Sequence, residues 1–329
     1  MIINPYANVN WGTVQKIVSC SHEHCESQAQ CNTLTATSGI KHICISNYYP
    51  SVPLYPIDET YTVPEGCISS PNAEHHSMTI KGTFVPAMHL NGLGSFFESG
   101  NPRGVEPVGC NGENCAVIIK QILEQLQYSD GGGVTINHPT WSGLNMGQIK
   151  YLLDLDDRVL GLEIFNTDFE NQSGENMEAN IQKWDSALKT GRRCWGFCVA
   201  DHEGQSTQDW LGRNVLLVNS FDEHSCLQAY RNGEFYGQIR NSNLAFTNIS
   251  FNNGVFSVST ENATKIIIVI DGHAIEYNGN EASVSVPSGA TYIRAEGRSA
   301  TDYIFSNPVM LKTINRRKSN MTRQILLMS

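Results

Sequence analysis

The residues best equipped for chemistry near the start of the chain are the histidines of Ser21-His22-Glu23-His24. They follow the apolar run Ile17-Val18, and side chains two apart on an extended segment share one face. A strand that delivers two imidazoles to one spot at its end is a way to begin a metal site. Other ligand types recur at comparable places. His89 follows Phe84-Val85-Pro86-Ala87-Met88, and His138 follows Val134-Thr135-Ile136-Asn137. Asp201 and His202 follow Trp195-Gly196-Phe197-Cys198-Val199-Ala200, and Glu74 lies in Pro71-Asn72-Ala73-Glu74. A carboxylate buried among imidazoles is costly unless it is paired or holds a cation, so together these residues point to a metal centre. Arg103, in Asn101-Pro102-Arg103-Gly104, sits on a loop where its paired N–H donors could hold a phosphate. Blander readings fit the other histidines. His75 and His76 read as loop residues, His42 as structural, and His224 and His273 as surface. Serine-nucleophile chemistry is a poor fit, because no Gly-x-Ser-x-Gly elbow occurs.

Positioning these side chains requires alternating strands and helices. Strands are expected over residues 16–19, 42–46, 83–88, 133–136, 159–164, 195–199 and 213–218. Helices are expected over 28–38, 115–127, 146–155, 177–190 and 222–232. The helix from Cys115 carries Ile118, Ile119, Ile122 and Leu126 on one face. Alternation of this kind implies parallel strands with crossovers, and seven such units suggest a barrel whose C-terminal strand ends share one rim. After about residue 243 the texture changes to short strands at 246–251, 255–260, 265–271, 282–286 and 292–295. Asn-Gly, Asp-Gly and Ser-Gly turns separate them, and a small β-sandwich is the natural expectation. The last residues, from Thr313, carry Arg316, Arg317, Lys318 and Arg323 without a clear period and read as a solvated basic tail.

Composition narrows the partners. The net charge of -10 argues against a general nucleic-acid binder, which needs clustered Lys and Arg. A metal would still let an acidic protein take an anionic substrate. None of the ten cysteines falls in a Cys-x-x-Cys pair, no signal peptide is expected, and the longest apolar run, from Ile266 to Ile270, cannot span a membrane. A reducing, cytoplasmic setting with free thiols is therefore expected.

In order and spacing the motifs resemble the PHP (polymerase and histidinol phosphatase) metallohydrolases, within them the branch that includes the carbaryl hydrolases. The resemblance runs from Asn4-Pro5-Tyr6 to about Asn307-Pro308. It is carried by Asn8-Val9-Asn10-Trp11, His22-Glu23-His24, Glu74, His89-Leu90-Asn91, Ile136-Asn137-His138-Pro139, Gly161-Leu162-Glu163-Ile164-Phe165-Asn166 and Ala200-Asp201-His202. It implies an α/β fold, a distorted (β/α)7-type barrel over residues 1–242, with a β-sandwich at 243–312 and a tail at 313–329. It implies that His22, His24, Glu74 and Asp201 hold one divalent ion, and that Glu74, His89 and His138 hold a second. Zn, Mn and Fe suit such ligands alike.

Three positions depart from the family pattern. Ser46-Asn47-Tyr48 stands where Thr-Asp-His is common, Asp201-His202-Glu203 replaces Asp-x-His, and Gln28-Ala29-Gln30 lacks the usual acidic or His ligand. All three belong to the family's third metal site, so a dinuclear centre without it is expected. The implied function is hydrolysis of a small phosphomonoester by a metal-activated water, with Asp201, His202 and Arg103 as the catalytic candidates. Two alternatives stand beside it: a carboxyl-ester or carbamate hydrolase, and a catalytically weak metal-binding protein whose sandwich binds a ligand or partner. Neither nucleic acid nor membrane is an expected partner.

Overall fold

The computed structural model describes residues 2–25, 27–46, 62–80, 83–97, 115–170, 176–202, 211–239 and 243–314. The chain begins with β1 (Gln15–Ser19), α1 (Gln28–Ser38), β2 (His42–Ile43) and β3 (Ile68–Ser69). A hairpin follows, β4 (Glu74–Ile80) and β5 (Thr83–Leu93), then α2 (Cys115–Glu124), β6 (Gly133–Ile136), α3 (Met146–Leu155) and β7 (Val159–Asn166). Next come α4 (Met177–Leu188), β8 (Trp195–Val199), β9 (Gly212–Val218), α5 (Glu223–Asn232) and β10 (Phe235–Ile239). The remainder is β11 (Ala245–Asn252), β12 (Val255–Glu261), β13 (Lys265–Ile270), β14 (His273–Asn278) and β15 (Glu281–Ser285). It ends with β16 (Tyr292–Arg298), β17 (Tyr303–Ser306) and β18 (Val309–Met310).

Local chemistry accounts for these elements. In α2 the residues Ile118, Ile119, Ile122 and Leu123 recur at helical spacing and are all buried. Asn145 caps α3 in a reciprocal capping box with Gln148, and Asp222 caps α5, which ends at Gly233 in the left-handed region. Every residue of β7 is buried, as expected of a central strand covered on both faces. A Cβ on Gly161 of β7 would lie 1.9 Å from the Trp195 carbonyl oxygen, so only glycine fits against β8.

The protein is a sheet-rich α/β structure. Five strands form one sheet in the order β4-β5-β6-β7-β8, and ten belong to another, β14-β13-β16-β17-β10-β9-β1-β2-β3 with β18 on β16. The third sheet is β11-β12-β15. None of these closes on itself among the described residues. Two seams nevertheless join the large sheets. Glu23 pairs with Asp201 in a parallel bridge, and the Glu74 amide donates to the Ser46 carbonyl at 2.8 Å. Both seams lie where the ligand candidates cluster.

Strand direction departs from the sequence expectation in two places. β5 runs antiparallel to both β4 and β6, and β9 runs antiparallel to β1 and β10. Only two residues separate β4 from β5, too few for the crossover that a parallel pair needs. The strands after residue 243 also do not all leave the ten-stranded sheet that holds β1. β13, β16 and β17 continue it through β10. Phe246, Ile249, Phe256 and Val258 of the three-stranded sheet share a core with Ile266, Ile268 and Ile293, and with Val215, Leu217 and Tyr236 of β9 and β10. No described helix is long and apolar enough to cross a membrane.

Candidate metal centre

His22 and His24 leave the end of β1, His138 follows β6, and Asp201 follows β8, as parallel strands with a shared rim would deliver them. Glu74 and His89 arrive differently. Glu74 opens β4 and His89 lies inside β5, so the hairpin's face, not a strand end, supplies them. All six residues are buried, and the structure brings them together. Arg103 and Glu203 lie outside the described residues, as do Asn47, Tyr48 and the tail from residue 315.

The donor atoms are evenly spaced. His22 Nε2 lies 3.2 Å from His24 Nε2, 3.4 Å from Glu74 Oε1 and 3.3 Å from Asp201 Oδ1. His24 Nε2 lies 3.4 Å from Glu74 Oε2 and 3.3 Å from Asp201 Oδ1. On the other side of Glu74, Oε1 is 2.9 Å from His89 Nδ1 and 3.4 Å from His138 Nε2. A tetrahedral ion with bonds of roughly 2.0–2.1 Å holds its donors about 3.3–3.4 Å apart, so the set around His22 and His24 has the edge lengths of a coordination shell. Glu74 Oε2 and His138 Nε2 are buried and accept or donate no hydrogen bond, as atoms reserved for an ion would be. The residues therefore fit the divalent ions that the sequence implies.

Charge gives the same answer. Glu74, Glu163 and Asp201 are three carboxylates buried within one cluster. Burial alone would raise the Glu74 and Asp201 carboxyls; His89 and His22 beside Glu74, and His22 and His24 beside Asp201, outweigh it and hold both well below the ordinary range. Burial likewise opposes charge on His22, but Asp201, Glu74 and Glu163 overcome it and push the imidazole well above its usual value. The cluster thus demands positive charge, which a proton or a divalent ion can supply.

Supporting contacts orient the donors. Glu163 Oε1 accepts from His22 Nδ1 at 2.7 Å, which directs Nε2 inward, and Oε2 accepts from the His138 backbone N–H at 2.7 Å. Asn166 Nδ2 donates to Glu163 and Asp201, Asn137 Nδ2 donates to Glu74, and Ser142 Oγ lies 3.1 Å from His138 Nδ1. His138 and Asp201 both have positive φ, 23° and 59°. His138 also precedes Pro139, which favours extended backbone, so its conformation is strained and held by the Glu163 contact. We expect Glu163→Gln to present an N–H to these N–H donors and to weaken divalent binding by about 10–100-fold. Competition with a chromogenic chelator measures this, and an unchanged affinity would remove Glu163 from the supporting role.

His202 packs flat on His24, with ring centroids 4.1 Å apart, and its Nε2 lies 3.7 Å from Asp201 Oδ1. Burial pushes its imidazole down to about 4, so at neutral pH it is an uncharged proton acceptor. His75 and His76 are not loop residues but lie on β4, and His76 faces the site. Among the described residues, ligand atoms lie within 4.8 Å of one another in three groups: His22, His24 and Glu74; His24, Asp201 and His202; and Glu74, His76 and His89. The signal missed for His76 was the spacing Glu74-x-His76, which repeats that of His22-x-His24 on an extended segment. Trp141 and Phe169 were also missed. Their rings stand 4.9 and 4.8 Å from that of His138 and 4.7 Å from each other.

No family model matches the chain. No curated protein matches it either. Among solved structures, it is similar to a two-domain protein from Bacteroides vulgatus described as containing a predicted PHP-like metal-dependent phosphoesterase. The two are 11% identical over 93% of this chain and 89% of that chain, with a TM-score of 0.47.

Proposed function

We propose that the chain is a metal-dependent hydrolase of the PHP type that cleaves a small phosphomonoester at a dinuclear centre. The carrying observation is the 3.2–3.4 Å spacing of the His22 and His24 Nε2 atoms from each other and from carboxylate oxygens of Glu74 and Asp201. These four residues would hold one ion, and Glu74, His89 and His138 the other. When bound, such ions lower the pKa of a water and neutralise charge that develops on phosphoryl oxygens, and the ligand set suits Zn, Mn or Fe. The remaining chemistry belongs to the chain. Glu163 fixes the His22 ring so that Nε2 faces the reaction space, and Asn166 holds Asp201 in place. His202, part-exposed at the rim, takes up a proton, and Arg103 binds the phosphate. Trp141 and Phe169 give the organic part of the substrate an aromatic surface beside His138, which also suits the second reading, carboxyl-ester or carbamate hydrolysis.

The same proposal divides the chain into a barrel-like unit over 1–242, a β-sandwich over 243–312 and a basic tail over 313–329. The two seams at Glu23–Asp201 and Ser46–Glu74 support the barrel-like enclosure. The nine described cysteines are thiols, which fits a reducing, cytoplasmic setting. Chromogenic phosphate and carboxyl esters, assayed with Mn2+, Zn2+ or Fe2+ and then with chelator, test the activity. Hydrolysis lost on chelation is expected. Turnover that survives chelation sinks the proposal, and tight metal binding without turnover of either ester favours the metal-binding alternative.

A further inference from the structure

We infer that His76 is a further metal ligand, which joins Glu74 and His89 on the β4–β5 hairpin; the inference rests on the reading of Glu74 and His89 as ligands. The hairpin's register makes the placement unavoidable. His76 and His89 are direct cross-strand partners, and Glu74 stands two residues before His76 on the same strand. Side chains two apart share a face, and directly opposed residues share it across the ladder, so all three project to one side. The two imidazole rings lie 3.9 Å apart and 3° from parallel. Ligand atoms of Glu74, His76 and His89 all fall within 4.8 Å of one another.

Stacked histidines in a core are ordinarily packing, and packing alone would explain the two rings. It does not explain a carboxylate at the third corner. Glu74 is almost wholly buried, and its Oε1 lies 2.9 Å from Nδ1 of His89, the ring stacked on His76, so the hairpin face carries a charge that packing alone would not place there. His75, the neighbour that points to the opposite face, shows what packing looks like on this strand. Its ring lies against Phe97, with centroids 5.2 Å apart, and both its nitrogens are buried without a hydrogen-bond partner. The ligand-bearing face and the packing face therefore alternate along β4.

Cobalt(II) is a suitable probe, because its visible spectrum reports the number and type of ligands and its binding can be read without turnover. Wild-type protein is titrated beside His76→Phe, which keeps the flat ring against His89 and removes both nitrogens. Two Co2+ equivalents are expected for the wild type. In His76→Phe the weaker equivalent should lose at least about 10-fold in affinity while thermal unfolding of the metal-free protein stays unchanged. His76→Cys supplies a second readout that survives a poorly folding phenylalanine variant, since a thiolate ligand adds a sulfur-to-cobalt charge-transfer band. Wild-type affinities in His76→Phe, or cobalt bound to His76→Cys without that band, would overturn the ligand role alone. A wild-type protein that binds no cobalt would overturn the dinuclear reading with it.

Discussion

Glu74→Ala is expected to remove both divalent ions and to lower ester hydrolysis by about 10³-fold or more, the range reached when a principal charge-stabilising group is lost. The reason is geometric. Glu74 Oε1 faces His22, His89 and His138, and Oε2 faces His24, so one carboxylate reaches all four imidazoles of the two proposed ligand sets. Its loss also leaves Asp201 and Glu163 among three imidazoles that burial opposes charging. Elemental analysis alongside the chromogenic assay checks the result. Retention of one full metal equivalent would mean that Glu74 serves a single ion, and retention of both would remove it from the centre.

Asp185→Ala is expected to produce the largest loss of stability outside the site. Asp185, on α4, receives Nε and Nη2 of Arg294 at 2.8 and 2.9 Å and the Tyr292 hydroxyl at 2.8 Å, both partners lying on β16. Arg294 is fully buried, donates its remaining arm to Glu296 at 2.7 Å, and lies over the Trp184 ring at 4.8 Å. Without Asp185 the guanidinium keeps a single carboxylate partner in a dry setting. Breaking a buried pair from one side costs about 3–5 kcal/mol. At roughly 2–4 °C per kcal/mol for a chain of this size class, Tm should fall by about 10 °C. The paired change Asp185→Leu with Arg294→Met should recover most of that loss, because an apolar replacement removes both charges together and Glu296 keeps Arg298 as a partner at 2.6 Å. An unchanged Tm in Asp185→Ala would show that α4 and β16 are held by apolar packing alone.

The parts of the centre that could be read from sequence share one property. His22, His24, His138 and Asp201 each follow a strand whose apolar residues mark it before the ligand arrives. Glu74 and His89 were legible as ligand types, but their placement was not. β4 reads Glu74-His75-His76-Ser77, a strand with ligand donors on one face and a buried histidine on the other, so the apolar alternation that betrays a strand is missing. Residue type therefore suggested a loop for His75 and His76. Strand direction was illegible for a different reason. The periodicity of Arg213–Val218 is the same whether the strand runs with β1 or against it, and only pairing with Ile17 and Val18 decides. β10 is not among the expected strands, because Phe235-Tyr236-Gly237-Gln238-Ile239 is short and only two residues separate it from the preceding helix. Glu163 stands in the Gly161-to-Asn166 stretch that the sequence offers for a supporting or structural role, but the histidine it orients, 141 residues away, emerges only in three dimensions.

Metal content per chain is the most direct test of the centre. Protein prepared without chelators, measured by elemental analysis, should carry two divalent equivalents, lose both to a strong chelator, and recover both on addition of Mn2+ or Zn2+. Protein that folds and keeps its properties with no bound ion, and that takes up none when an ion is offered, would contradict the account.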